Sequence, residues 1–182
     1  MQSQNIKIIK KLQLLMILST LTLSVTLHSQ EISKGNVNFT IREIPTPAVN
    51  AFYLARGFTL AQIKPYADTC VYTTTLRNDN KDEDIHYVRK NWFITLDDKH
   101  YPIKSNNYWF EQFEKSGMLP SSWIGFRLSQ MPEEQIYGAN GGWNQGIFSV
   151  NVPRGTQFDV TIVWDIKGKE NSLTLKGVNC EK

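Results

Sequence analysis

The sequence predicts a mainly β protein: a single antiparallel β-sandwich of seven to nine strands, immunoglobulin-like or jelly-roll-like, with a short helical excursion near residues 46–66. Short segments of alternating apolar and polar residues recur along the chain, and this is the period of half-buried strands. Turn residues separate these segments, and only one stretch carries clear helix signals. A closed barrel is the alternative architecture for the same pattern.

Residues 1–29 have the features of a secretory signal peptide. Three lysines precede the apolar run Leu12–Leu27, whose roughly 16 residues are fewer than the ~20 that a membrane-spanning helix needs. Ser29 then supplies a small residue for cleavage. We therefore expect a signal peptide at 1–29, one β-sandwich domain at 30–182, and an exported protein, periplasmic or secreted, with no membrane span after cleavage. An uncleaved anchor is the alternative.

The charge balance argues against nucleic acid as a partner. The chain has 20 basic and 17 acidic residues, and three of the basic ones lie in the predicted signal peptide. The remaining residues therefore carry 17 charges of each sign. No basic run is left that could follow a phosphate backbone.

The two cysteines, Cys70 and Cys180, predict a disulfide. An exported protein meets an oxidising compartment, and each cysteine has one available partner. Buried free thiols are the alternative. Strict alternation would place Cys180 on the face opposite Leu173 and Leu175, so we expect a β-bulge at Gly177 that returns Cys180 to the inner face.

Alternation predicts most of the strands directly. A bend is expected at 89–91 inside the long segment 85–96, and Pro102 confines its own short strand to a sheet edge. The predicted strands are 35–44, 70–76, 85–96, 101–103, 123–130, 148–152, 158–166 and 173–175.

Helix signals concentrate in 46–66. Thr46 is a suitable N-cap with Pro47 in the first helical position, and Thr59 with Gln62 forms a capping box for a second short helix. Pro65 should disturb that second helix. The segment 106–117 fits either a short helix or a buried loop.

Catalytic and metal signals are sparse. Outside the predicted signal peptide the only histidines are His86 and His100, and no G-x-S-x-G motif accompanies them, so a hydrolase that uses either as a base is a minor alternative. The acidic turn 79–84 lacks the central glycine and trailing glutamate of a calcium loop. We expect no metal site and no cofactor.

Aromatic residues give the best binding candidates. Trp92 and Trp164 share faces with aliphatic residues and are expected in the core. Trp143 lies in the predicted glycine-rich loop 137–146, where an exposed indole could stack on a sugar while nearby amides bind its hydroxyls; folding inward as a lid is the other interpretation. The complete set of candidates for this glycan site is Trp143, Asn140, Asn144, Gln145, Trp123 and Arg127.

Together these observations predict an exported, non-catalytic binding or protein-interaction domain. Its partner would be an unidentified protein or glycan outside the cytoplasm. The two alternatives are the glycan-binding module that uses Trp143 and the hydrolase that uses His86 or His100.

Overall fold

The computed structural model describes residues 29–181 and contains two antiparallel β-sheets and four helices within that range. The mainly β class and the sandwich are confirmed, with ten strands instead of seven to nine. Helix makes up 26% of the described residues, more than the single predicted helical excursion can supply. The predicted signal peptide lies outside the described residues except for Ser29, which begins the first strand.

The elements follow in chain order. The strands are β1 (Ser29–Lys34), β2 (Val37–Glu43), β3 (Cys70–Asn78), β4 (Ile85–Val88), β5 (Phe93–Leu96), β6 (Lys99–Pro102), β7 (Glu134–Tyr137), β8 (Gly142–Val150), β9 (Gln157–Ile166) and β10 (Lys169–Asn179). The helices are α1 (Thr46–Leu54), α2 (Leu60–Ala67), α3 (Asn106–Lys115) and α4 (Pro120–Ser129).

Two sheets form the sandwich. Sheet A has the order β1-β2-β3-β8. Strand β9 is the centre of sheet B. Strand β10 pairs along one edge of β9, and β5 and β4 pair one after the other along its opposite edge. A single 3-10 turn, Arg89–Asn91, separates β4 from β5 where the sequence predicts a bend. Strand β6, which contains Pro102, lies at the edge as predicted.

Inward-pointing side chains of the two sheets form a first core, here called the sandwich core. Trp92 and Trp164 both belong to it, only 1% and 3% exposed, as the alternation predicts. The indole N–H of Trp92 donates to the carbonyl of Val163 at 3.0 Å, so this buried polar atom is satisfied. Strand β9 contributes every second residue from Phe158 to Trp164.

A second core, here called the helical core, lies between the helices and the outer face of sheet A. Val71 of β3 and Ile147 of β8 point away from the sandwich core and complete it. Phe126 lies at its centre and contacts Tyr66 and Phe113 edge-on, with 5.2 and 4.9 Å between ring centroids. The sequence predicts only the sandwich core, so the helical core is the main difference between the predicted and the observed architecture.

The predicted strand 123–130 is wrong, because this segment belongs to helix α4. Pro120 occupies its first turn, a position that proline favours. Ile124, Phe126 and Leu128 share one face of a strand, but on a helix they separate: Phe126 is buried while the other two are exposed. The ambiguous segment 106–117 is also helical, and the Ser105 hydroxyl accepts from the Tyr108 N–H as the N-cap of α3.

The helical excursion near 46–66 is confirmed as α1 and α2. The capping box is present: the Thr59 hydroxyl accepts from the Gln62 N–H at 3.2 Å, and the Gln62 side chain accepts from the Thr59 N–H at 2.9 Å. Thr46 is not an N-cap, because α1 begins at Thr46 and its cap position is Pro45. Pro65 lies inside α2 without ending it.

The Cys70–Cys180 disulfide is confirmed, with the two Cα atoms 5.5 Å apart. Gly177 adopts φ +67°, and the pairing of β10 with β9 shifts register between Leu175 and Val178. This is the expected bulge. It brings Val178 and Cys180 into the sandwich core.

Arg154 joins the helices to the same end of the sandwich. Its guanidinium donates to the Thr46 hydroxyl and to the carbonyls of Ala67 and Thr69, at 3.1 and 3.0 Å for the two carbonyls. It also pairs with Glu43 at 3.4 Å. Burial raises the pKa of the Glu43 carboxyl, while the Glu181 N–H and Arg154 oppose that rise.

Loss of the disulfide is expected to destabilise the protein strongly. The bond closes a loop with a sequence separation of 110 residues. A closed loop of this length restricts the unfolded chain by about 4–5 kcal/mol in the chain-entropy model. Urea unfolding of the Cys70→Ala/Cys180→Ala variant, compared with oxidised and reduced wild type, measures this free energy. Equal unfolding midpoints for oxidised and reduced protein would contradict the expectation.

Replacing Arg154 by Met should lower the free energy of unfolding by about 2–4 kcal/mol at neutral pH, since a half-buried carboxylate and several carbonyls lose their donor. Without its cation, Glu43 binds a proton more tightly in the folded state than in the unfolded state. The deficit should therefore shrink as the pH falls through the raised pKa of Glu43. Urea unfolding across pH, with Lys99→Met as an exposed control, tests both points. A deficit that is independent of pH would contradict the role assigned to Glu43.

Candidate functional site

A cleft of about 620 Å³ opens where the helices stop covering sheet A. One wall is the outer face of β2, β3 and β8, and the other is formed by α1 and α4. The lining residues are Arg42, Ile44, Ala48, Val49, Phe52, Tyr53, Arg56, Val71, Thr73, Gly125, Leu128, Ser129, Gln145, Gly146 and Ile147.

Strand alternation explains the sheet wall of this cleft. Arg42 and Thr73 lie directly opposite each other in the β2–β3 pairing, and both point away from the sandwich core. On β8, Gln145 and Ile147 share that outer face. The Gln145 amide donates to the Thr73 hydroxyl at 3.0 Å, so the polar part of the wall is internally hydrogen bonded.

Two glycines allow the close packing around the cleft. A Cβ atom at Gly125 of α4 would lie 3.2 Å from the Arg56 side chain, so glycine lets α4 approach the end of α1. A Cβ atom at Gly146 of β8 would lie 2.3 Å from the Met131 Cα, a distance at which the backbone must move. Gly146 therefore lets the segment after α4 lie against the backbone of β8, where Gln130 pairs with Ile147 and the Met131 N–H donates to the Ile147 carbonyl at 2.9 Å.

The cleft is apolar in its walls and positive in its charge. Its charged lining residues are Arg42 and Arg56, and no aspartate or glutamate of residues 29–181 joins them. Among the ion pairs of the described residues, neither arginine has a carboxylate partner. The Arg56 guanidinium lies 3.4 Å from the centroid of the Phe52 ring and donates to the Phe52 carbonyl at 2.8 Å. Phe52 therefore holds the Arg56 guanidinium in place.

Tyr53 borders the cleft as a structural residue. Burial raises the pKa of its hydroxyl to about 12, so it stays protonated at neutral pH. The hydroxyl lies 3.0 Å from the Ser129 hydroxyl and accepts from the Gln130 amide at 2.8 Å. These bonds tie α1 to the end of α4 and hold the helix wall in place.

Trp143 lies in strand β8 and not in a loop, because the observed loop covers only 138–141 instead of the predicted 137–146. Its side chain is 57% exposed, so it is not an inward lid. Gln145 shares its outward face, while Asn144 between them belongs to the opposite face. Asn140 occupies the turn before β8, where its amide donates to the Lys81 carbonyl at 2.9 Å.

Trp123 and Arg127 lie in helix α4 and not on sheet A with Trp143. The Trp123 ring stacks on Phe110 of α3 with 5.0 Å between centroids, and the Arg127 guanidinium lies 4.9 Å from the centre of the Trp123 ring. Neither residue lines the cleft. Of the six predicted glycan-site residues, the structure brings Trp143 and Gln145 together on one surface.

The two histidines lie on sheet B. The His86 ring nitrogen is 2.7 Å from a Glu134 carboxylate oxygen, in the pair formed by β4 and β7. His100 occupies the edge strand β6 with its ring 4.4 Å from that of Phe93. Neither lines the cleft. Within residues 29–181, no three His, Cys, Asp or Glu side chains are grouped so that they could hold a metal ion.

Of the residues that line the cleft, the sequence indicated only Gln145 as a binding candidate, and it did not indicate the cleft itself. Arg42 does fall on the polar side of a predicted strand, and Phe52 and Arg56 are four residues apart near the predicted helix. Those signals place each residue on a surface. They do not show that β2, α1 and α4 meet, because that meeting depends on contacts between distant segments.

No protein-family model matches this chain, and no match was found among curated proteins or solved structures. The assignment of a site therefore depends on the geometry described above. In addition, none of the helices within residues 29–181 is both long enough and apolar enough to cross a membrane.

Proposed function

We propose that this chain is a non-catalytic binding domain that acts outside the cytoplasm and holds its ligand in the cleft between sheet A and helices α1 and α4. The cleft itself carries the proposal. Its volume of about 620 Å³ lies within the ~300–1,000 Å³ range typical of ligand sites. Apolar walls with a few polar groups are also typical of such sites.

The expected export rests on two features. The signal-like segment at 1–29 directs a chain to the secretory route, and an intact Cys70–Cys180 disulfide suits an oxidising compartment. Both features support a periplasmic or secreted location. The cleft of this protein offers groups suited to binding, because its lining residues carry apolar side chains, hydroxyls, an amide and two arginines.

A cleft-filling substitution tests the binding site. Ala48 is an exposed residue of α1 that lines the cleft, so Ala48→Trp should occupy the cleft without disturbing either core. Ala51 is exposed on the same helix but does not line the cleft, so Ala51→Trp is the matched control. We expect the neutral apolar fluorophore N-phenyl-1-naphthylamine to bind the wild type and Ala51→Trp. Ala48→Trp should weaken that binding at least about tenfold, which corresponds to ~1.4 kcal/mol.

Unfolding midpoints of both variants check that the fold is retained. Equal affinity of the fluorophore for the two tryptophan variants would show that it binds elsewhere. Absence of binding to the wild type would also contradict the proposal that the cleft takes apolar ligands.

A second candidate function is glycan binding at Trp143. The exposed Trp143 ring lies on a sheet face beside Gln145, and Arg77 of β3 occupies the position opposite Trp143. Arg77 is itself paired with Asp79 at 2.6 Å. An exposed indole next to amide and charged groups is suited to stacking on a sugar ring while its hydroxyls are bound.

Trp143→Ala tests this second function on a glycan array. The wild type should bind at least one class of glycan, and the variant should lose about 1–2 kcal/mol of binding free energy because the stacking surface is removed. Ile136→Ala removes an equally exposed apolar side chain from sheet B and should leave binding intact. An array with no bound glycan, or binding that survives Trp143→Ala, would contradict glycan binding at this site.

The hydrolase alternative has no comparable support. His86 does have a carboxylate partner in Glu134, but the pair is exposed on sheet B and outside the cleft. The outer face of sheet A, which carries Trp143 and one wall of the cleft, is also suited to binding an unidentified protein partner.

A further inference from the structure

The charges of the cleft indicate which ligands it would favour. We infer that the cleft binds a free, single-chain apolar molecule with one carboxylate head, chemically a fatty acid, and that Arg42 and Arg56 hold the head. This inference rests on the proposed function, because it names the ligand class of the same cleft.

The positive charge of the cleft is local. Residues 30–182 contain equal numbers of basic and acidic residues, so the two arginines do not reflect a generally basic surface. In the part of the chain that the structure describes, no carboxylate lines the cleft to neutralise them. Two cations beside apolar walls produce a potential that attracts an anion and disfavours a cation.

Arg56 is held ready to bind an anion. Its guanidinium lies over the Phe52 ring and is bonded to the Phe52 carbonyl, while its aliphatic stem packs against Gly125. An arginine has five N–H donors, and this carbonyl is the one acceptor that the described structure shows for them. A guanidinium fixed in this way loses little side-chain freedom when a carboxylate binds to it.

Arg42 belongs to the polar side of the cleft, together with Thr73 and Gln145. A smaller depression of about 130 Å³ continues from this side along sheet A and shares the same three residues. Thr40 and Thr75 line its far part. A charged head placed here would meet a cation, hydroxyls and an amide, with room for water.

The apolar side of the cleft suits an aliphatic chain. Val49, Val71 and Ile147 form its buried part, where the helical core reaches the sheet. Leu128 of α4 lines the opening and is 73% exposed. A ligand chain that covers Leu128 would remove apolar surface from water, which favours binding by about 25 cal/mol for each Å² buried.

The test compares two probes with the same chain, dodecanoate and dodecanol, as competitors of N-phenyl-1-naphthylamine. Wild type should bind dodecanoate at least about tenfold more tightly than dodecanol, because charge-assisted hydrogen bonds add to the same apolar contacts. Arg42→Gln/Arg56→Gln should abolish that preference and change the affinity for dodecanol less than about twofold. Each single variant should lose part of the preference.

Lys176→Gln removes one charge from an exposed position on sheet B and should keep the full preference. Raising the salt concentration should weaken dodecanoate binding alone, since salt screens exposed charges. Equal binding of the two probes by wild type, or a preference that survives the double variant, would overturn the inference. In both cases dodecanol and the fluorophore would still bind in the cleft, so the proposed function would stand.

Flotation with vesicles of anionic phospholipid separates a free ligand from a membrane surface. The inference predicts no arginine-dependent vesicle binding. Vesicle binding that is lost in the double variant, without any preference for free dodecanoate, would overturn it in favour of lipid heads in a bilayer. Failure of the fluorophore to bind wild type would instead contradict the proposed function itself.

Discussion

The start of strand β3 must be buried on both of its faces, and the rest of the structure follows from this constraint. Cys70, Tyr72 and Leu76 point into the sandwich core, while Val71 points into the helical core. A strand in this position needs a sheet on one side and another layer on the other side. The chain supplies that layer by inserting α1 and α2 before β3 and α3 and α4 before β7. The helices cover sheet A only around Val71 and Ile147, and the cleft lies at the boundary between the covered and open parts.

The covered end of the sandwich is also held by a disulfide and by the hydrogen bonds of Arg154. The disulfide joins the first residue of β3 to the residue that follows β10, and thereby connects the two sheets. Arg154 bonds the start of α1 and the end of α2 to the same region. The floor and the α1 wall of the cleft are therefore anchored, a condition that favours a preformed ligand site over one assembled on binding.

Sequence patterns predicted the features that depend on neighbouring residues. Alternation placed Trp92 and Trp164 in the core, and the conflict of register at Cys180 located the bulge at Gly177. Alternation failed at 123–130 because eight residues can satisfy the strand period and still form an amphipathic helix once aromatic partners such as Phe113 are available. The predicted placement of Trp143 failed for a related reason. The glycines near Trp143 indicated a loop, but the segment pairs with the backbone of β3 and forms strand β8. The cleft was beyond prediction because it exists only when β2, β8, α1 and α4 are assembled.

If ligands bind at the boundary between the helices and sheet A, the residues there must respond to a ligand. Backbone amide chemical shifts mapped by NMR during a titration with dodecanoate measure this response residue by residue. We expect saturable shift changes in α1, in Arg42 and Thr73, and around Gly125 and Gln145, with β9 and β10 unaffected. Changes centred on β4, β7 or β10, or the absence of saturable changes, would contradict binding at this boundary.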